Sequence, residues 1–436
     1  MSFTKPHCLP YPILREKEST LYQAPRGTAD ILPEEQPYWR FVEQKAGAIC
    51  RLYGYERIDT PVFEDAGLFI RGVGESTDIV EKEMYTFTDR GESQVTLRPE
   101  GTASVCRAYL EHGMANLVQP VKLFYFASIF RYERPQAGRY REHHQFGYEA
   151  IGEADPALDA EVIDMAWQFF TSLGLSNFSL QINSIGCKTC RPGYIKALRE
   201  YYSAYGDKVC VECRGRLERN ALRLLDCKKP DCRQVALQAP RSVDCLCPDC
   251  ASHFERLTGY LKVMGLPFNI NHCLVRGLDY YTRTVFEIQP EAEGAQSTLG
   301  GGGRYDNLIE ELGGKPTPAI GFATGIERMI LNLKRQQVAI PSLDRPGVFI
   351  ACLGEAARAE AAAQAAKLRK CGIGVLTSLG EKSLKAQLRQ ANTLGAAYAV
   401  ILGDDELKNG TAVVRDMASA KQETVPLNKL PEYLRK

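Results

Sequence analysis

No stretch of this sequence is apolar for the length a bilayer demands, and nothing near its start has the basic, apolar and small-residue segments of a secretory signal. The expectation is therefore a soluble, cytoplasmic protein, with the proline-spaced residues 1–22 (Pro6, Pro10, Pro12) forming a loose arm. Charge of one sign is equally scarce. Lys+Arg 54 against Asp+Glu 53 leaves a net of +1, so the chain as a whole does not advertise a polyanion as partner. No long repeat or low-complexity tract interrupts it. A phosphate-binding P-loop is missing too: the glycine run Gly300–Gly303 continues into Arg304-Tyr305-Asp306 rather than Lys-Ser/Thr. Glycines there still let a backbone pass close to a ligand.

The chain has 436 residues, of which 44% are hydrophobic and 25% charged. That mixture is ordinary for globular proteins, and the length is too great for one core, so two or three domains are expected. Positive charge is unevenly spread. Residues 345–436 carry 14 Lys+Arg against 9 Asp+Glu, and residues 187–250 carry 13 against 8. Both excesses permit contact with RNA and also suit a plain solvated surface.

Apolar spacing predicts helices over 33–51 and 156–173. Alternation predicts a strand over Tyr55–Phe63, interrupted at Pro61, and two strands over Val121–Tyr132 and Glu142–Glu149 joined by an arginine-rich loop. A further strand lies around Asn177–Asn183, a cysteine-rich helical stretch runs from Cys187 to Leu266, and strands resume at Asn269. Beyond a linker at 341–346, strands and helices alternate, which predicts a small α/β domain with a largely parallel sheet.

Five segments carry chemistry. Arg276, Tyr280 and Tyr281 set a fixed guanidinium fork beside two phenols, suited to clamping a phosphate or carboxylate, although a Tyr-rich amphipathic strand reads the same way. Arg131, Glu133, Arg134, Gln136, Arg139 and Arg141 crowd the loop between two strands, where guanidinium groups can meet a polyanion or simply face water. Glu100 and Thr102 flank a glycine bend, able to hold an ammonium or to cap a helix. Gly321 to Arg328 reads as a strand entering a helix that presents Arg328, free or paired with Glu327. Gly300 to Asp306 is the glycine run with Tyr305.

Nine of the 15 cysteines fall between Cys187 and Cys250. Cys187-x₂-Cys190-x₁₉-Cys210-x₂-Cys213 has zinc-site spacing, and Cys227-x₄-Cys232-x₁₄-Cys247-x₂-Cys250 is a looser second set, with Cys245 spare. Spacing does not fix which pairs meet, and a mixed site, an iron–sulfur cluster or free thiols remain open.

In order along the chain these segments resemble the histidyl-tRNA synthetases, class II aminoacyl-tRNA synthetases. Arg57–Phe63 resembles motif 1, Phe130–Arg141 motif 2 and Gly321–Arg328 motif 3, while Leu274–Thr282 and Gly301–Tyr305 resemble the histidine signatures. The resemblance implies an α+β catalytic domain on an antiparallel sheet (the class II fold) in two parts, 23–186 and 267–340. A helical cysteine-rich insertion would occupy 187–266, and an α/β anticodon-binding domain 347–436. It implies a homodimer that uses ATP with Mg²⁺ to form histidyl-adenylate and transfers histidine to tRNA(His). The expectation of structural Zn²⁺ in the insertion comes from the cysteine spacing and not from the resemblance, since many members of the family lack cysteines there. Arg131 and Arg276 would act at the α-phosphate, Glu133 near the adenine and Arg328 near the γ-phosphate. Glu100 and Thr102 would hold the α-amino group, with Gln145, Glu149, Arg276, Tyr280, Tyr281 and Tyr305 completing the histidine pocket. Arg134 and Gln136 would reach the tRNA acceptor end. The adjacent His143 and His144 are expected on the motif 2 exit strand, without a catalytic part. The rival implied by the same fold is a histidine-binding regulatory paralogue of ATP phosphoribosyltransferase, a family that typically loses these arginines and the C-terminal domain.

Overall fold

Ten residues from Val121 and ten from Glu142 pair in unbroken antiparallel register, Val121 opposite Ile151 through Phe130 opposite Glu142. Around that ladder the computed structural model describes residues 21–74, 77–135, 138–206, 208–291 and 298–435. Gln136 and the first twenty residues of the expected arm lie outside the described residues. The chain divides into two compact units, Met1–Ile340 and Pro341–Lys436. Among the described residues no helix is long and apolar enough to cross a membrane.

The first unit runs through α1 (Gln36–Leu52), β1 (Glu56–Arg57), β2 (Phe63–Asp65), α2 (Ala66–Val73), β3 (Tyr85–Thr88), β4 (Gln94–Leu97) and α3 (Thr102–Glu111). It continues with β5 (Val121–Phe130), β6 (Glu142–Ile151), α4 (Pro156–Ser172) and β7 (Phe178–Ser184). The insertion region contributes α5 (Arg191–Ser203), α6 (Val211–Arg219), α7 (Pro230–Leu237) and α8 (Pro248–Val263). Then come β8 (Phe268–Ile270), β9 (Thr282–Pro290), β10 (Gly300–Arg304), α9 (Leu308–Glu311), β11 (Ala319–Gly325) and α10 (Ile326–Arg335).

Eight strands form one sheet in the order β1-β5-β6-β11-β10-β9-β7-β8. From β5 to β7 every pairing is antiparallel, and only the short edge strands β1 and β8 pair parallel. Strand periodicity sorts β6 cleanly. Phe146, Tyr148 and Ala150 enter a core with residues of α1, α4, α8 and α10, including Val42, Phe169, Leu257 and Met329. Gln145, Gly147 and Glu149 therefore face the other way, toward a second core that joins β5 and β9 to Tyr280, Tyr281, Tyr305 and the insertion's Tyr194 and Leu198. Helix starts are fixed locally: Asp155 accepts the Ala157 amide at 2.8 Å, and Pro156 suits the first turn of α4.

The strand expected over Tyr55–Phe63 is not continuous. Pro61 has no N–H to give a ladder, and Arg98 Nη1 takes the carbonyls of Thr60 and Pro61 at 2.8 and 3.2 Å. Only Glu56–Arg57 joins the main sheet, while Phe63–Asp65 pairs with β4 in a separate sheet of order β2-β4-β3.

The second unit comprises β12 (Val348–Cys352), α11 (Glu355–Lys370), β13 (Val375–Thr377), α12 (Leu384–Thr393), β14 (Tyr398–Leu402), α13 (Asp404–Asn409), β15 (Thr411–Asp416) and β16 (Gln422–Pro426). The order β13-β12-β14-β15-β16 is parallel over the first three strands. It departs from the largely parallel sheet expected, because β15 and β16 add an antiparallel hairpin. Four of the five β16 residues are exposed, so apolar alternation did not mark it.

One buried ionic knot ties the sheet to its helices. Arg304, fully buried on β10, donates to Asp159 of α4 at 2.7 Å, and the same carboxylate meets His253 of α8 at 2.8 Å and Thr284 of β9 at 2.6 Å. Burial raises the Asp159 carboxyl, but Arg304 and His253 outweigh it and hold the group below its ordinary range. Asp159→Ala should lower stability by about 3 kcal/mol, because it takes the nearer counter-ion from a buried guanidinium and leaves it only Asp306, at 3.1 Å. Urea unfolding followed by tryptophan fluorescence tests this in the first unit alone, which contains both tryptophans, Trp39 and Trp167.

Candidate functional site

The polar face of β6 opens into a cavity of about 350 Å³, floored by β5, β6, β9, β10 and β11. Glu149 stands in its middle, 1% exposed. Its Oε2 accepts from Tyr305 at 2.6 Å, and its Oε1 accepts from Thr102 at 2.8 Å and Tyr125 at 3.3 Å. Glycines make the room. A methyl at Gly321, opposite Glu149 in the sheet, would overlap that carboxylate. One at Gly147 would overlap the Tyr125 ring across the ladder. Tyr280, Tyr281 and Tyr305 close one wall, with ring centroids 4.7 and 5.6 Å from Tyr280.

Glu100 shows the capping and binding readings converging. Its carboxylate accepts the amides of Thr102 and Ala103, each at 2.7 Å, so it caps α3 and is held at the cavity edge. Burial raises both Glu100 and Glu149. The two backbone N–H groups work against that at Glu100 without reversing it, whereas Glu149 is pushed up to about 8. Near neutral pH, Glu149 keeps its proton.

Four arginines line the same cavity, Arg131, Arg139, Arg276 and Arg328. Arg131 Nε is pinned to the Pro99 carbonyl at 2.7 Å, and Arg328 donates to Thr298 and Gly138 carbonyls at 3.0 and 3.4 Å. Arg276 pairs with Glu287 at 2.5 Å and lies 5.6 Å over the Tyr281 ring. Its buried Nε has no partner, an orphaned donor that suits an anionic ligand. A Cβ at Gly301 would stand 2.7 Å from Arg276 Nη1, so the glycine strand also makes way for this group. Glu327 is not paired with Arg328; it accepts from the His144 amide at 2.9 Å and meets His144 Nδ1 at 2.7 Å. Both histidines lie on β6. Burial, then Arg131 and Arg328, push His143 down to about 3, which keeps it neutral.

The structure thus brings together Glu100, Thr102, Arg131, Glu133, Gln145, Glu149, Arg276, Tyr280, Tyr281, Tyr305 and Arg328. Arg134 stands apart, exposed on the loop. Sequence reasoning missed Tyr125, His143 and Glu287, which also line the cavity. A glycine at the cross-strand position is the mark that singles out Tyr125.

The cysteines pair differently from the grouping that spacing suggested. Cys187 and Cys190 meet Cys247 and Cys250, while Cys210 and Cys213 meet Cys227 and Cys232. The reason is topological: α8 returns to the end of β7, bringing its first turn beside Cys187. Within each set the four sulfurs lie within 4.8 Å of one another. Cys187 Sγ is 3.8 Å from both Cys190 Sγ and Cys247 Sγ. A tetrahedron of Zn–S bonds of about 2.3 Å has edges of about 3.8 Å, so the donor set fits. Burial raises the Cys187 thiol, but the amides of its own turn outweigh this and draw it down to about 6.

Residues 27–189 and 217–329 match the sequence profile of the histidyl-tRNA synthetases, and 347–436 match that of an anticodon binding domain. A histidine–tRNA ligase of Dehalococcoides mccartyi is 65% identical over 410 residues, covering 94% of this chain and 98% of the relative. That of Pelotomaculum thermopropionicum is 51% identical over 411 residues, 94% and 97% of the two chains. The crystal structure of apo S. aureus histidyl-tRNA synthetase superposes with a TM-score of 0.80 at 38% identity, covering 95% of this chain and all of that one.

The Glu149 carboxyl gives a pH test. Its folded value lies above the ordinary 4.5, so its favourable contribution is complete below 4.5 and is lost as pH rises through about 8. Relative to Glu149→Gln, the unliganded protein should lose about 1.4 kcal/mol of stability per pH unit across that window, read from urea midpoints at several pH values. A difference that does not change with pH would contradict the assignment.

Proposed function

Because the chain belongs to the histidyl-tRNA synthetase family and attaches histidine to tRNA at the expense of ATP, we propose a part in that reaction for each group in the cavity. The observation that carries the assignment is the meeting of Arg131, Arg276 and Arg328 with a buried Glu–Tyr pocket in one cavity. Histidine enters with its α-ammonium toward Glu100 and Thr102. Its imidazole lies between Glu149, Tyr305 and Tyr281, with Gln145 on the same strand face and Tyr280 behind. Glu149 and Tyr305 offer a donor–acceptor pair, which suits the two ring nitrogens of histidine.

ATP enters as its Mg²⁺ complex, a substrate. Arg131 and Arg276 bind the α-phosphate, Arg328 the γ-phosphate, and Glu133 lies by the adenine. The histidine carboxylate attacks the α-phosphorus and pyrophosphate leaves. The terminal ribose hydroxyl of tRNA(His) then attacks the acyl carbon and AMP leaves. Neither step needs a protein nucleophile. The chain's task is to align the reactants and to meet charge on the phosphoryl oxygens with donors already in position. The orphaned Nε of Arg276 supports this role, since a phosphate oxygen gives it the partner that it lacks.

Arg134 and Gln136 are assigned to the tRNA acceptor end, and the second unit to the anticodon. The insertion holds structural Zn²⁺ on the eight cysteines that form its two sets. A second copy of the chain covers the region of Pro61, where Val62 and Phe63 are 44% and 58% exposed. The compartment is the cytoplasm, in keeping with described cysteines that form no disulfide.

ATP–pyrophosphate exchange across a panel of amino acids tests the pocket, with exchange expected for histidine alone. Arg131→Ala and Arg276→Ala should each slow exchange by about 10²–10³-fold while the circular dichroism spectrum stays that of the parent. Exchange with another amino acid would overturn the pocket assignment, and histidine binding without exchange would point to the regulatory paralogue. Sedimentation equilibrium should return twice the 48.6 kDa chain mass, and Phe63→Asp should shift it toward one.

A further inference from the structure

The segment from Leu274 to Tyr281 carries Arg276, Tyr280 and Tyr281, yet it belongs to no helix or strand. Its conformation must be imposed from outside, and three of the contacts that impose it come from the insertion. Arg191 donates to the Tyr281 carbonyl at 2.5 Å and to the Gly186 carbonyl at 3.1 Å. Asn220 donates to the Asp279 carboxylate at 2.9 Å. Arg223 donates to the Gly277 carbonyl at 3.0 Å, while its other arm meets Asp78 at 3.2 Å.

Each of these three residues sits inside one of the cysteine sets. Arg191 follows Cys190 directly, at the start of α5. Asn220 and Arg223 lie between Cys213 and Cys227, on the short turn after α6. The first set also joins the two ends of the insertion, because Cys187 and Cys190 precede α5 while Cys247 and Cys250 begin α8. Backbone amides already point at the sulfurs: Cys187 N–H lies 3.3 Å from Cys190 Sγ, and Cys210 N–H lies 3.2 Å from Cys232 Sγ. Such amides favour the thiolate form that a metal requires.

We propose that the insertion binds two Zn²⁺ ions per chain, one in each four-cysteine set, and that together they anchor the Arg276–Tyr281 segment and so set the affinity for histidine. The first ion holds Arg191 on the Tyr281 end. The second holds Asn220 and Arg223 on the Gly277–Asp279 end. Each thiol gives up its proton to solvent as it ligates. Arg191, Asn220 and Arg223 are positioning residues that act through the pocket's backbone, not through the reacting atoms. The inference rests on the structural zinc read into the insertion above, and its test separates the two claims.

Metal analysis of the purified full-length chain should give two zinc ions, and one each for the pairs Cys187→Ser with Cys247→Ser and Cys213→Ser with Cys232→Ser. Cobalt exchanged for zinc should show a thiolate charge-transfer band in both singly loaded variants. In ATP–pyrophosphate exchange, each pair should raise the histidine KM about tenfold, the loss expected for one charge-assisted hydrogen bond, with the ATP KM near that of the parent. Arg191→Ala and Arg223→Ala should raise the histidine KM equally while keeping both ions, and Arg191→Lys and Arg223→Lys should recover part of the loss. If the serine pairs do not fold, chelator stripping and zinc return on the parent chain should raise and restore the same KM. A chain without zinc would end the metal reading. Zinc lost with the histidine KM unchanged would leave the metal standing and overturn the anchoring.

Discussion

A carboxyl group in the middle of a β-sheet has no water to turn to, so its neighbours must supply both space and hydrogen bonds. Glu149 sets that condition for the whole site. Gly321 and Gly147 supply the space on β11 and β6, and Tyr305, Thr102 and Tyr125 supply the donors. Each donor is fixed by a different part of the fold. Tyr305 follows β10, whose Arg304 is locked into the knot with Asp159 and His253; Thr102 opens α3 under the cap of Glu100; Tyr125 sits in the longest ladder. The pocket is therefore a meeting point of elements that are individually rigid. That arrangement suits a site whose task is alignment.

Charge in the cavity is arranged on the same logic. Arg131 and Arg328 are held by backbone carbonyls, so each keeps its positive charge available to a ligand. Arg276 is the exception, with a carboxylate partner in Glu287. On the proposed assignment, a phosphate at Arg276 would compete with that ion pair. His143, kept neutral between Arg131 and Arg328, adds a polar ring without adding to their repulsion.

Much of this was legible in the chain because local periodicity and local burial agree. β5, β6 and α4 follow their apolar spacing to within two residues, and the entry of β11 into α10 delivers Arg328 as its motif implies. Other features depend on distance. Which cysteines meet is decided by where α8 comes back, and nothing in the spacing of Cys190 and Cys210 records that. Tyr125 is notable only once Gly147 is known to stand across from it. The break at Pro61 was partly visible, but the capture of its carbonyl by Arg98 was not. The β15–β16 hairpin escaped because its outer strand is mostly exposed, where alternation is weakest.

The strand β10 begins with four consecutive glycines, and all of them are buried. A glycine codon begins with two fixed guanines, so every single-base change at either position brings in a side chain or a stop. Where the neighbour is Arg276 or the carbonyl of Phe286, as at Gly301, that side chain has nowhere to go. This short piece of β10 is thus a dense target for loss-of-function mutation.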